Sequence, residues 1–305
     1  MVWIIFPLVA ALFFSLCNFT ENAVVDNWCK RLKPQCLKVI YLALNVVVML
    51  ALFLIFGTGL WDNAGLIGIL ILLGAGILHS SGGIPYLTAL KKADTTSITL
   101  LGQMNPILTL ILGIIFLAQI PTWNQGLAFA LIVIGMLLVV VETGRKIIKI
   151  DFKTALPMFI ACLFWATSGV VFVMGVGDMD FWTAFFWFNV GKFIINAIMV
   201  IVFKSWRADF RRFIKKEKWK KIFGTVAVFA FWFIGEMMWR MGILIVPIAI
   251  QSVTTSVLQL ILTFILGIIL TLLWPKFGRE KLQKKVIVRH AIATVIIVVG
   301  IILIG

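Results

Sequence analysis

Apolar stretches of about 20 residues recur along the chain, parted by short breaks that carry charge or turn-forming residues. At a rise of about 1.5 Å per residue, such a stretch spans the hydrocarbon core of a bilayer as a helix. Ten helices are expected, at residues 3–24, 36–57, 65–89, 95–118, 124–142, 155–175, 181–204, 222–244, 249–273 and 287–304. Only Lys91, Lys92, Ala93 and Asp94 part the third from the fourth, and Pro247 is the main breaker between the eighth and ninth. The first stretch, MVWIIFPLVAALFF, has no basic flank and no small-residue cleavage site, so it is expected to be retained as a span. The fold class expected is an all-α polytopic membrane protein.

Composition removes the main competitor. Of 305 residues, 62% are hydrophobic and 13% charged, with a mean hydropathy of +1.12. Soluble domains are about half apolar and about a quarter charged, so a soluble enzyme is excluded. The formal charge of +15 reflects topology, because 24 of the 27 Lys and Arg lie in or beside the odd-numbered loops and none in the even ones. By the positive-inside rule the odd loops face the cytoplasm, so both termini are expected on the non-cytoplasmic side of a cell (inner) membrane. Nucleic acid is not an expected partner. The seventh loop, SWRADFRRFIKKEKWKKIF, sets Trp206, Phe210 and Phe213 on one helical face among basic residues. It reads either as an interfacial helix on anionic lipid or as a charged turn.

The chain also repeats itself. ILTLILGII at 107–115 returns as ILTFILGII at 261–269, eight of nine residues at an offset of 154. ALFFSLCN (11–18) answers CLFWATSG (162–169), Lys38 answers Lys192, and the Gly126/Gly135 spacing is answered by Ala291 and Gly300. The organisation expected is a five-helix repeat at 1–142, a cytoplasmic linker at 143–154 and a second five-helix repeat at 155–305. Since five is odd, the halves must cross the membrane in opposite senses, and the basic loops alternate accordingly. Inverted repeats of this kind are a device of secondary transporters.

The stretch PYLTALKKADTTSITLLGQMNPILTLILGIIFLAQIPTWNQGLAFALIVIGMLLV (85–139) carries a family resemblance. Its aromatic-and-Ala end, the Pro in a polar-then-apolar fourth helix and the final Gly-x8-Gly helix resemble those of ten-helix, EamA-type members of the drug/metabolite transporter superfamily. AIQSVTTSVLQLILTFILGII (249–269) has the same run, with Leu260 where the first half has Pro106. Lys38 and Lys192 stand where the family usually has a basic residue early in the second and seventh helices. The family's frequent Gly-Glu pair is absent; Ala118-Gln119 and Leu272-Leu273 stand in those places. The resemblance implies a transporter of two five-helix repeats. It names no cargo, since members move amino acids, other metabolites, nucleotide sugars, sugar phosphates and drugs.

Polar residues at membrane depth supply the candidate site, because charge there is costly and is kept mostly where it lines a cavity or finds a partner. Lys192 lies 12 residues from both Asp180 and Lys204, at mid-span. It is either a cation that meets substrate or the partner of Glu236. Glu236 and Arg240, four apart, either neutralise each other or serve substrate separately, Glu236 taking a proton or amine and Arg240 an anion. The run His79-Ser80-Ser81-Gly82-Gly83-Ile84-Pro85-Tyr86 is expected to interrupt the third span, with His79 either titrating or bonded neutral across helices. Tyr86 and Trp165 either cover a ligand or pack in the core. Asn18 lies deep, whereas Glu21 is expected near the headgroups. Gln103, Asn105 and Gln259 either glue helices together or touch cargo, and Asn189 shares a face with Lys192.

The function expected is secondary transport, as an exporter, of a small polar metabolite. An amino acid comes first, since Lys192 and Glu236 offer both charges to a zwitterion. An organic anion or phosphorylated metabolite is the alternative within the class, and a membrane-embedded enzyme acting on a lipid-linked substrate is the alternative outside it. No catalytic residue, cofactor or metal is expected. Cys17 and Cys162 lie inside spans, the Cys29/Cys36 spacing is not a zinc knuckle, and only His79 and His290 could complete a site. No Walker loop appears, so proton coupling through Glu236 or His79, exchange, or facilitated diffusion remain the candidate modes. Lipids are expected partners, with the protein a monomer or homodimer.

Overall fold

A computed structural model of the chain describes residues 2–22, 35–61, 63–90, 101–141, 152–216 and 219–273, with scattered positions beyond 291. Ten α-helices are described, and no strand among those residues. They are α1 (Ile5–Asn22), α2 (Gln35–Phe56), α3 (Leu66–Leu90), α4 (Met104–Leu117), α5 (Trp123–Val141), α6 (Phe152–Val176), α7 (Phe181–Val202), α8 (Lys204–Lys216), α9 (Trp219–Gly242) and α10 (Ile248–Leu273). Nine of them occupy the first nine expected spans, and α8 is the seventh loop, folded as a helix. The tenth expected span (287–304), most of the linker, Cys29, Cys36 and His290 lie outside the described residues. Among the described residues, five segments are long and apolar enough to cross a membrane: Val39–Trp61, Leu66–Ala89, Thr154–Val176, Phe181–Val202 and Ile248–Gly267.

The bundle is inside out relative to a soluble protein. Leu54, Ile67, Ile120 and Phe223 are each more than 70% exposed, while Lys192, Glu236 and Arg240 are buried. An apolar exterior around a charged interior fits lipid as the solvent.

Glycines set the closest helix crossings. A Cβ on Gly76 would run into the backbone of Phe188 and Lys192, and one on Gly191 into the backbone of Leu73. α3 and α7 therefore touch backbone to backbone, as small residues allow. Gly82 instead makes room for side chains of α6, where a Cβ would meet the Trp165 ring and Phe164 Cβ. The expected break at 79–86 is absent: α3 is continuous through Pro85. Its glycines serve helix approach, and the Ser81 and Thr88 hydroxyls donate to the carbonyls of Ile77 and Ile84 within the helix.

Helix contacts come in matched pairs. α3 packs along α6 as α1 packs along α9, and α4 meets α6 as α10 meets α1. Hydrogen bonds follow suit. Cys17 on α1 reaches the carbonyl of Val228 on α9, while Ser168 on α6 donates to the carbonyl of Ala75 on α3. A core of Leu60, Leu72, Phe172, Val176, Phe185, Phe186, Phe188 and Ile248 fills one end of the bundle. At that end Asp180 caps α7, its carboxylate accepting from the backbone N–H of Trp182 and Thr183.

Candidate functional site

At the opposite end the helices part around a cavity of about 330 Å³. Its wall takes the C-terminal halves of α1, α3 and α7, the N-terminal halves of α2 and α6, the turn before α4, and facing stretches of α9 and α10. From Lys192 and Glu236 the lining thus runs toward the helix ends that join the basic loops.

Lys192 reaches the cavity because the Gly76–Gly191 crossing brings its helix against α3. Its Nζ lies 2.7 Å from Glu236 Oε2 and 4.2 Å from the centre of the Trp232 ring. The other Glu236 oxygen faces His79 Nε2 at 3.0 Å and the Arg240 guanidinium at 3.5 Å. One carboxylate is thereby held by three nitrogen groups, which is how a buried ion persists in a low-dielectric interior. Arg240 Nη2 also lies 3.3 Å from His79 Nδ1. A guanidinium only donates, so Nδ1 accepts, and the tautomer that fits is neutral with its proton on Nε2 toward Glu236.

Arg240 does not line the cavity. It is 1% exposed, donates to Ser168 Oγ at 3.2 Å, and lies face-on over Phe188, 3.6 Å from the ring centre. It stands behind Glu236 as a structural cation and connects the site to the apolar end. Asn189 is also outside the cavity wall. Its Nδ2 donates to the Phe185 carbonyl within α7, and its own carbonyl accepts from Asn45. A helical wheel places Asn189 beside Lys192 in angle, but the α2 contact covers it.

The remaining sequence candidates, Asn18, His79, Tyr86, Gln103, Trp165 and Gln259, all lie on the wall, together with Asn105. Tyr86 and Trp165 pair with ring centres 5.5 Å apart, and the Tyr86 hydroxyl donates to Glu21 at 3.4 Å. Glu21, in the last turn of α1, thus belongs to the wall rather than to the headgroups alone.

Sequence reasoning missed Tyr41, Asn45, Asn196, Trp232, Ser252 and Thr255. Trp232 was detectable, since it precedes Glu236 by four residues on one helix face. Asn196 follows Lys192 at the same spacing and accepts from Ser80 Oγ at 2.8 Å. Asn45 and the α10 hydroxyls carried no such signal, being single polar residues in long apolar or Ser/Thr-rich runs. Asn45 Oδ1, Ser252 Oγ and Thr255 Oγ1 are buried on this wall with no hydrogen-bond partner among the described residues. Groups in that condition are costly, and a polar ligand would satisfy them. Among the described residues no three His, Cys, Asp or Glu side chains come together to hold a metal ion.

With that geometry in hand, likeness to known proteins becomes informative. Residues 1–141 match the model of the EamA-like transporter family, a little under half of the chain. A protein solved by crystallography superposes with a TM-score of 0.62 at 16% identity, over 97% of this chain and 95% of its own, which establishes a shared fold. No curated protein matches the sequence. The first half of the chain is thus similar to the EamA-like transporter family, and the whole chain shares the fold of that solved structure.

Proposed function

We propose that this protein is a secondary transporter that exports a small zwitterionic metabolite, an amino acid first of all, by alternating access between two inverted five-helix repeats at 1–142 and 155–305. The observation that carries the reading is the Lys192–Glu236 pair on the wall of a cavity that ends at an aromatic core on one side and runs on the other toward helix ends that join the basic loops. Lys192 and Glu236 present both signs on the wall, with Arg240 holding Glu236 from behind, so the site suits a cargo that itself offers both signs. Its carboxylate would take Lys192, its ammonium Glu236 and the neighbouring rings, and its remaining polar atoms Asn45, Ser252 and Thr255.

The matched helix contacts support the repeat, and the Cys17–Val228 and Ser168–Ala75 bonds support it most closely. Both donors and acceptors stand at offsets near the 154 residues that separate the two ILT runs. With odd loops cytoplasmic, the present cavity is the inward-facing half of the cycle, closed to the outside by Phe172, Phe185 and Phe188.

The test is counterflow in proteoliposomes. Vesicles of purified protein loaded with single amino acids are expected to exchange label, with saturation, for one chemical subset of them. Exchange of organic anions or sugar phosphates instead would move the reading to the runner-up cargo, which the Lys192–Arg240 excess immediately around Glu236 favours. Absence of exchange with every class would overturn it.

A further inference from the structure

A second place in the fold combines charge and apolar surface in a way transport does not require. α8 begins directly after α7, with only Phe203 between them. Trp206 and Phe210 turn inward: Trp206 is buried and stacked on Phe203 with ring centres 5.0 Å apart, and Phe210 packs on a cluster of Cys17, Ile40 and Val228. That anchorage fixes the helix against α2 and leaves another face outward. Lys204, Arg207 and Arg211, at the i, i+3 and i+7 positions of one face, border a shallow surface cleft together with the exposed Ala208. Beside it the last turns of α7 present Ile198, Ile201, Val202 and Phe203, each between 46% and 67% exposed.

We infer that this cleft is a binding site for the headgroup phosphate of an anionic phospholipid, whose acyl chains lie along Ile198, Ile201 and Val202. The membrane source is favoured over a soluble anion by continuity. Three cations stand at the end of a helix whose apolar outer face is already long enough to cross a bilayer. A phosphodiester oxygen accepts from guanidinium and ammonium donors, while the lipid-facing turns supply what a free phosphate would leave uncovered. The aromatic anchorage also links the lipid to the site, because α8 and Cys17 share one cluster with the α1 wall of the cavity.

The experiment compares the purified full chain in nanodiscs of phosphatidylcholine alone and of phosphatidylcholine with 30% phosphatidylglycerol (a roughly physiological anionic share). Wild type is expected to unfold several degrees higher in the anionic discs and to retain phosphatidylglycerol through delipidation in neutral detergent. Lys204→Gln/Arg207→Gln/Arg211→Gln should lose most of both effects while unfolding at the wild-type temperature in neutral discs. Lys215→Gln, on the same helix and outside the cleft, should keep both effects. Equal loss in Lys215→Gln would mean general surface charge and would overturn the site. Equal stabilisation of neutral discs by millimolar inorganic phosphate would replace the lipid with a soluble anion, and retention by the triple variant would also overturn the inference. If the triple variant does not fold, Arg211→Gln alone, at an exposed position, reads the same retention.

Discussion

Lys192 Nζ on α7 and Glu236 Oε2 on α9 stand 2.7 Å apart, and both side chains form part of a cavity wall. The pair is therefore a structural element and a surface a ligand can reach. Arg240 and His79 hold the second oxygen, so Lys192 can turn toward a ligand without leaving Glu236 bare.

That arrangement sets two separable expectations for Lys192. Lys192→Met should lower transport at least 10-fold and destabilise the fold by less than a fully broken buried pair, about 3–5 kcal/mol, because Arg240 and His79 still hold Glu236. Lys192→Met/Glu236→Gln should be less stable than Lys192→Met, because it leaves the buried Arg240 without its carboxylate, and should recover none of the transport. Thermal unfolding and counterflow, run on the same preparations, check both; recovery of transport in the double variant would return Lys192 to a purely structural role.

Glu236→Gln tests coupling. If Glu236 carries the transported proton, accumulation driven by a pH gradient is lost while equal exchange survives. Accumulation that persists in this variant would leave His79 as the remaining titratable candidate on that side of the cavity. His79→Gln, whose amide can still accept from Arg240 and donate to Glu236, should then abolish it.

The α3–α7 crossing predicts a contrast between neighbouring glycines. Gly76→Ala puts a methyl against the backbone of Phe188 and should cost about 1–3 kcal/mol, read as a lower unfolding temperature. Gly74→Ala, where nothing lies within 4 Å, should be neutral or stabilising by about 0.5–1 kcal/mol. Equal effects would mean the two helices are not in backbone contact.

Asp180 gives the sign of one pH effect. Partial burial pushes its carboxyl up, but hydrogen bonds from the Thr183 hydroxyl and from the backbone of Thr183 and Trp182 outweigh this and hold it below the usual carboxylate range. A depressed pKa means the contribution is present above the unfolded-state value and fades as pH falls through the folded one. Asp180→Ala should cost about 1 kcal/mol at neutral pH, and less as the medium is acidified past the carboxylate range.

Sidedness is open to labelling. A single cysteine at Asn63, in the loop after α2, should react with an impermeant reagent added outside intact cells. One at Arg211 on α8 should react only after the membrane is opened. The reverse pattern would turn the cavity outward and convert the proposed exporter state into its opposite.

Hydrophobic periodicity alone located nine of the helices to within a few residues, except that α4 is described from Met104 where the span was expected from residue 95. It could do so because lipid imposes length and apolarity on every crossing segment regardless of its neighbours. Charge at depth was legible for the same reason: Lys192, Glu236 and His79 stood out because few residues of their kind survive there. Tertiary structure decided what those residues do to one another. Arg240 and Asn189 have the right types and helical phase, yet a neighbouring helix covers each, while Glu21 and Asn45 join the wall through the packing of α1 and α2 against the other helices. The Gly82-Gly83-Pro85 run misled for a related reason, since a glycine pair reads the same whether it bends a helix or admits a tryptophan from another. Spacing along one helix fixes angle; which angle faces a cavity is set by crossings between helices far apart in sequence, and no local pattern records them.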